Sequence, residues 1–286
     1  MNDVRLFKDN NGVWYTTNDI LNKLKQVGAH DCDILFVHTD VAFGALNPEL
    51  KRKKYLGYLY EVLQQLNVGT LVFPSFTFSF CNKEVYDVNN SRTSMGALNE
   101  YIRNQPNVVR SLDPILSMIA VGDKANLFDN IGKSSLGINS AYDILHQQDN
   151  VKFLFMGAEI GECFTYIHYL EDVMRVPYRF DMHFNGTVID AGGNNFDDEY
   201  ILYAGCAGVK PACSYYFEDY LLEKGLLQKT HIGIKPITCI SEEDAYREIR
   251  NKIETNVHYF LEQPYTEADL VHEYTKGKNG ERIISC

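Results

Sequence analysis

Three short apolar runs constrain this chain more than any other feature. They are Asp33-Ile-Leu-Phe-Val37, Thr70-Leu-Val-Phe-Pro74 and Val151-Lys-Phe-Leu-Phe-Met156. Near-continuous apolar runs of this length read as strands covered on both faces. The first two follow stretches of helical periodicity. Thr17 is placed to cap a helix with Ile20, Leu21, Leu24 and Val27 on one face, and Gly28 to end it. Tyr55, Leu56, Leu59, Val62, Leu63 and Leu66 share a second helical face. Helix, strand, helix, strand is the order of an α/β protein, and it predicts a mainly parallel central sheet with flanking helices.

Later segments are less regular. Phe76 to Arg92 reads as a functional loop, Met95 to Arg103 as a short helix, Ile115 to Val121 as a buried run and Ala141 to His146 as a helix end. Phe164 to Met174 reads as one helix. From Val176 the texture changes. Tyr178 to Ile189 suggests strands with a turn at Gly186-Thr187, followed by a strand at Tyr200 to Tyr203. Phe217 to Leu222 suggests a helix capped at Gly225, and Ile232 to Ile240 a last strand. Ser241 opens a helix with Ala245, Ile249, Ile253 and Val257 on one stripe. The expected organisation is an α/β region over residues 1–175 and a mixed α+β region over 176–286.

Composition excludes some function classes. The 27 basic and 38 acidic residues leave a net charge of -11, unsuited to broad nucleic-acid binding, which needs clustered Lys and Arg. A small anion remains compatible, because local N–H groups can hold one against the overall field. The seven cysteines are odd in number and include no C-x-x-C pair, which suits reduced thiols in a cytosol. The first ten residues lack an apolar core of signal-peptide type, and no run approaches the ~20 apolar residues of a membrane helix. The expectation is a soluble, cytoplasmic protein with no nucleic-acid or membrane partner; homo-oligomerisation stays open.

The polar residues that leave the strands are the first candidates for chemistry, since ligands gather at the carboxyl ends of parallel strands. These segments are His38-Thr-Asp-Val41, Pro74-Ser-Phe-Thr77 and 157–171. Within the last, Thr165, His168 and Glu171 recur every third residue, so a helix brings them near one face. A His oriented by a carboxylate is a natural general base near neutral pH. The same pair could serve a metal, given further ligands, or could be ordinary helix-face residues. Cys81 and Cys163 read as small apolar side chains before they read as nucleophiles. Glu159, Glu162 and Asp172 can bind an ammonium or face solvent.

An ordered series of motifs then resembles the aminoglycoside 3-N-acetyltransferase family of CoA-dependent N-acyltransferases. It runs through Val37-His-Thr-Asp-Val41 with Gly44, Gly69-Thr-Leu-Val-Phe-Pro-Ser-Phe-Thr77, Met95-Gly-Ala-Leu-Asn-Glu100 and Val109-Arg-Ser-Leu-Asp-Pro-Ile-Leu-Ser117 with Gly122. It continues through Leu154-Phe-Met-Gly157, Thr165-x-x-His168-x-x-Glu171 and Val176-Pro-Tyr-Arg179. The resemblance implies acyl transfer from a CoA thioester to a sugar amine, with residues 1–175 binding acyl-CoA and 176–286 completing the acceptor site.

Carried over, the family pattern makes His168 the base, Glu171 its orienting carboxylate and Thr165 an oxyanion donor. It assigns CoA contacts to His38, Thr39, Ser75, Thr77, Arg110 and Ser111, and implies no metal. The donor is expected to be acetyl-CoA or a hydroxybutanoyl-CoA. Where relatives read R-S-x-H-P, this chain has Asp113 before Pro114. That departure and the supply of aromatic residues favour a nucleotide-linked acceptor, a dTDP-3-amino-3,6-dideoxyhexose of surface-polysaccharide synthesis. Asp113, Phe80, Asn82 and Tyr166 are the candidate acceptor contacts. The alternative acceptor is an aminoglycoside. A metal-dependent hydrolase and a non-catalytic binding protein are the readings from other classes.

Overall fold

The computed structural model describes residues 3–273 of the chain; Cys286 lies outside the described residues. It opens with β1 (Arg5–Lys8), β2 (Trp14–Thr16) and α1 (Thr17–Gln26), then β3 (Cys32–Thr39), β4 (Ala45–Leu46), α2 (Arg52–Gln64) and β5 (Val68–Pro74). After β6 (Tyr86–Asp87) come α3 (Ala97–Arg103), β7 (Val109–Arg110), β8 (Met118–Gly122), α4 (Ala141–His146) and β9 (Val151–Met156). Next are α5 (Ile160–Cys163), α6 (Tyr166–Val173), β10 (Arg179–Ile189) and β11 (Asn195–Gly205). The last elements with labels are α7 (Tyr215–Glu223), β12 (Gln228–Ile232), β13 (Lys235–Ser241) and α8 (Glu242–Thr255).

The central sheet has the order β12-β13-β9-β3-β5-β8-β7. It is mixed rather than mainly parallel. Only β3 with β5 and β3 with β9 run parallel, while the outer strands on both sides pair antiparallel. The reason lies in the connections. The three apolar runs became the central strands β3, β5 and β9, but β8 and β13 return antiparallel to β5 and β9 after long excursions, and β7 and β12 join them across short reversals. Residues 232–240, read as one strand, hold such a reversal: Gly233 takes a φ of +55° and splits them into β12 and β13.

Two further local readings change. Thr16 rather than Thr17 caps α1, in a reciprocal box with Asp19, while Thr17 is buried and its hydroxyl accepts the Val4 amide. Gly186 lies inside the continuous strand β10 and makes no turn. A Cβ at that position would stand 2.7 Å from the Phe80 ring, so close packing explains the glycine. The β10–β11 hairpin forms a second sheet with β6. One large apolar cluster fills the space between the central sheet, this hairpin and α4, α6 and α8; another lies under α1 and α2 on the opposite face.

Candidate active site

At the ends of β3 and β9 the backbones nearly touch. Gly157 has a φ of +79°, and a Cβ there would lie 2.0 Å from the Asp40 carbonyl oxygen. The short helix α5 follows, then a break at Phe164 and Thr165, and then α6. This break divides the single helix expected over 164–174. It leaves His168 in the first turn of α6 with Thr165 just before the helix.

Glu171 comes one turn later on the same face. Its Oε2 lies 2.6 Å from His168 Nδ1, and its Oε1 accepts the Tyr178 hydroxyl at 2.7 Å. Arg179, at the start of β10, ion-pairs through Nε with the same Oε2 at 2.6 Å. Its Nη2 is 2.6 Å from His168 Nδ1, and Nη1 donates to the Tyr203 carbonyl at 2.9 Å. All four side chains are buried. Burial would raise the Glu171 pKa, but the charges of Arg179 and then His168 overcome it and hold the carboxyl down to about 2. His168 and Thr165 line a cavity of about 20 Å³, closed on its other side by Pro211, Ala212, Ser214 and Phe260. That is room for roughly one water.

A second space begins at Thr39. Two adjoining cavities of about 600 and 730 Å³ share Arg52, Leu56, Gly96 and Ala97. The first reaches Thr39, Asp40 and Val41; the second reaches Lys53, Arg92 and Tyr101. The Thr39 hydroxyl donates to Asn99 Oδ1 at 2.8 Å, and Asn99 donates to the Pro74 carbonyl, tying the exits of β3 and β5 together. The groove meets the segment leading to the dyad at Asp40, against whose carbonyl Gly157 packs, and His38 lies on the other face of β3 from Thr39. The His38 ring lies flat on Phe155 and edge-on to Phe164, the residue before Thr165. Burial holds the His38 pKa down to about 3, so this imidazole is neutral.

The other residues singled out from the sequence lie elsewhere. Arg110 is buried, with its guanidinium on the carbonyls of Val88, Ser91 and Ser75. Ser75 and Ser111 are buried beside it, and the Thr77 hydroxyl donates to the Pro114 carbonyl at 2.9 Å. Asp113 is buried too; its Oδ1 accepts from the Ile115 and Leu116 amides and from the Ser135 hydroxyl. Burial pushes its pKa up to about 6. Phe80 packs edge-on against Tyr200, Asn82 ends the same short helical turn half-buried, and Tyr166 belongs to an aromatic core and donates its hydroxyl to Glu242. The structure thus brings Thr165, His168 and Glu171 together, with His38 packed on the neighbouring Phe164 and Thr39 lining a separate groove.

Sequence reasoning passed over Lys51-Arg-Lys-Lys54. These four exposed cations stand at the start of α2, which has no acidic residue in its first turn and no side-chain cap. They oppose the helix dipole, which favours anions there. The available signal was four consecutive cations in a chain of net charge -11. Arg179 was quoted only as part of a motif; nothing in its spacing from His168 announced a contact.

A sequence model of the aminoglycoside 3-N-acetyltransferase family matches residues 48–254, well over half of the chain. No curated protein sequence matches at a significant level. Among solved structures, a variant of the aminoglycoside acetyltransferase AAC(3)-IVa in complex with a gentamicin is 20% identical. It superposes with a TM-score of 0.69 over 92% of this chain and 94% of its own. AAC-IIIb, in a binary complex with CoASH, is 18% identical with a TM-score of 0.69, over 88% of this chain and 99% of its own. YokD from Bacillus subtilis is 19% identical with a TM-score of 0.68, over 84% and 94%. At these identities the likeness is one of fold.

Proposed function

Because this chain belongs to the aminoglycoside 3-N-acetyltransferase family, we propose that it moves an acyl group from acyl-CoA to an amine of an amino sugar, with an aminoglycoside-type polycation as the better-supported acceptor. It is by family a CoA-dependent N-acyltransferase. The observation that carries the reading is the buried pair of His168 Nδ1 and Glu171 Oε2 at 2.6 Å, in a molecule whose strand ends also open a groove large enough for a cofactor-sized ligand.

In this reading Glu171 fixes the ring so that Nε2 is the base atom. The acceptor amine attacks the thioester carbonyl, and His168 takes the proton that the nitrogen sheds. The carbon–sulfur bond breaks, the amide forms, and the proton on His168 can pass to the CoA sulfur. Thr165, on the same small cavity as His168, is the candidate donor to the carbonyl oxygen as charge builds there. The donor lies in the groove that starts at Thr39, and its phosphates meet Arg52, Lys53 and Arg92 rather than the inward-facing Arg110. The segment after Val176 supplies Tyr178 and Arg179 and, through Pro211, Ala212, Ser214 and Phe260, the wall over His168, which is the acceptor side.

The acceptor reading rests on charge and on where the aromatic side chains are. Asp40, Glu159 and Glu162 all act on Lys235 beside the exits of β3 and β9, so carboxylates gather next to the site. Such a field attracts a polycation. The nucleotide-linked acceptor expected from the sequence drew on aromatic platforms, but Phe80 and Tyr166 are packed into the core. Two relatives of this fold, AAC(3)-IVa and AAC-VIa, are solved with a gentamicin and with sisomicin.

A thiol-release assay tests the reading by crossing acetyl-CoA and hydroxybutanoyl-CoA with an aminoglycoside and with a dTDP-amino sugar. Release with the aminoglycoside is expected. Release with the dTDP-sugar alone would restore the nucleotide-linked acceptor. CoA binding with no release from any amine would overturn the enzymatic reading.

A further inference from the structure

One ring nitrogen of His168 faces two groups that make opposite demands. Glu171 Oε2 and Arg179 Nη2 both lie 2.6 Å from Nδ1. A carboxylate oxygen needs a proton on that nitrogen; a guanidinium N–H needs a lone pair. Both demands cannot be met at once. Arg179 also reaches Glu171 directly, with Nε 2.6 Å from the same Oε2. The guanidinium is buried and anchored from its far side by the Tyr203 carbonyl at 2.9 Å.

Consider the same helix without Arg179. A buried carboxylate beside a single imidazole would be balanced best by an imidazolium. A His held in that form cannot accept a proton. With Arg179 present, the charge on Glu171 is already matched, and an imidazolium would stand against a like charge. We propose that Arg179 is a positioning residue that keeps His168 in its neutral, proton-accepting form by taking up the charge of Glu171. The proposal rests on His168 being the base.

The remaining titratable groups around the three do not replace this role. Burial raises the pKa of the Tyr178 hydroxyl, of the Tyr203 hydroxyl to about 12, and of the Cys206 thiol, so all three stay protonated at neutral pH. Asp172 is paired with Arg175, which also binds Asp181. On α5, Glu162 accepts the Tyr215 hydroxyl and Cys163 donates to the Glu159 carbonyl.

The test is the titration of His168 by NMR of its ring C–H signals, in the full chain without substrate. Arg179→Gln should raise the midpoint by about one unit or more, and Arg179→Lys, which keeps the charge, should leave it near the wild-type value. The acid limb of kcat/KM should move to higher pH in Arg179→Gln alongside it. If that variant does not fold, Glu171→Gln is compared with Glu171→Gln/Arg179→Gln, which removes both buried charges together. The double variant should titrate higher, because no guanidinium opposes the imidazolium. An unchanged or lowered midpoint in Arg179→Gln, or equal midpoints in the second comparison, would overturn the proposal while leaving the base assignment standing. An active His168→Asn enzyme would remove the base assignment instead, whatever the titration shows.

Discussion

Glu171 holds His168 from one helical turn away, its Oε2 at 2.6 Å from Nδ1, within a helix of eight residues. The two side chains therefore share one rigid support, to which Tyr178 and Arg179 add contacts from the following segment.

That arrangement predicts the effect of removing the base. His168→Asn should lower turnover by about a hundredfold or more, the usual contribution of a general base. CoA binding, measured by calorimetry, should persist because the groove begins at Thr39 rather than at His168. Near-normal turnover would refute the assignment.

The carboxylate partner predicts an acid sensitivity. Glu171 has its pKa held at about 2 from a reference of 4.5, with Arg179 and His168 overcoming the effect of burial. A depressed carboxyl pKa contributes stability above the unfolded value and loses it as pH falls through the folded one. Roughly 3 kcal/mol should therefore disappear between about pH 4.5 and pH 2. Glu171→Gln should cost about 3–5 kcal/mol at pH 7, because it strands the buried Arg179 charge. Urea unfolding across pH measures both.

The start of α2 predicts opposite signs for stability and function. Arg52→Glu with Lys53→Glu puts anions where the helix dipole favours them, which should stabilise the fold by about 0.3–1 kcal/mol per site. The same change should raise the KM for acyl-CoA and weaken its salt dependence, with kcat little altered. Thermal unfolding and steady-state kinetics on one double variant check both; a KM that stays put would take the phosphates elsewhere.

Asp113 behaves in the opposite sense to Glu171. Its folded pKa is raised by burial to about 6 from 3.8, so the native state holds a proton that the unfolded chain gives up. Its contribution is favourable at low pH and is lost as pH rises from about 4 to 6, amounting to roughly 3 kcal/mol. Asn keeps an acceptor at the oxygen that takes all three hydrogen bonds. Asp113→Asn should therefore flatten the stability profile between pH 4 and 7. A profile parallel to wild type would show that the carboxyl is not protonated in this range.

How much of this was legible in the sequence depended on whether the cause was local. β3, β5 and β9 were readable because strands covered on both faces are apolar throughout. Thr165, His168 and Glu171 were readable because a helix turns even spacing into proximity. The break at Phe164 and Thr165 was not, since it follows from how α5 packs and leaves no Gly or Pro. The split between β12 and β13 was hidden because one glycine can sit in a strand or turn it, as Gly186 and Gly233 do. Arg179 reaches the dyad only because Arg175, at a φ of +50°, lets the chain turn back into β10. Arg110 carried a plausible charge, but only packing shows that carbonyl oxygens already use it.

The central sheet also sets an order on synthesis. β13 pairs with β9 through Ser241 and Lys152, and Glu242, the next residue, receives the hydroxyl of Tyr166 on the helix that carries His168. A ribosome that has released only the first two hundred residues has made the dyad but neither of the strands that close that flank of the sheet. Until β13 emerges, β9 is an exposed edge, and until α8 follows it, Tyr166 on α6 lacks its Glu242 acceptor. The late arrival of this segment makes the unfinished chain open to edge pairing with other nascent chains.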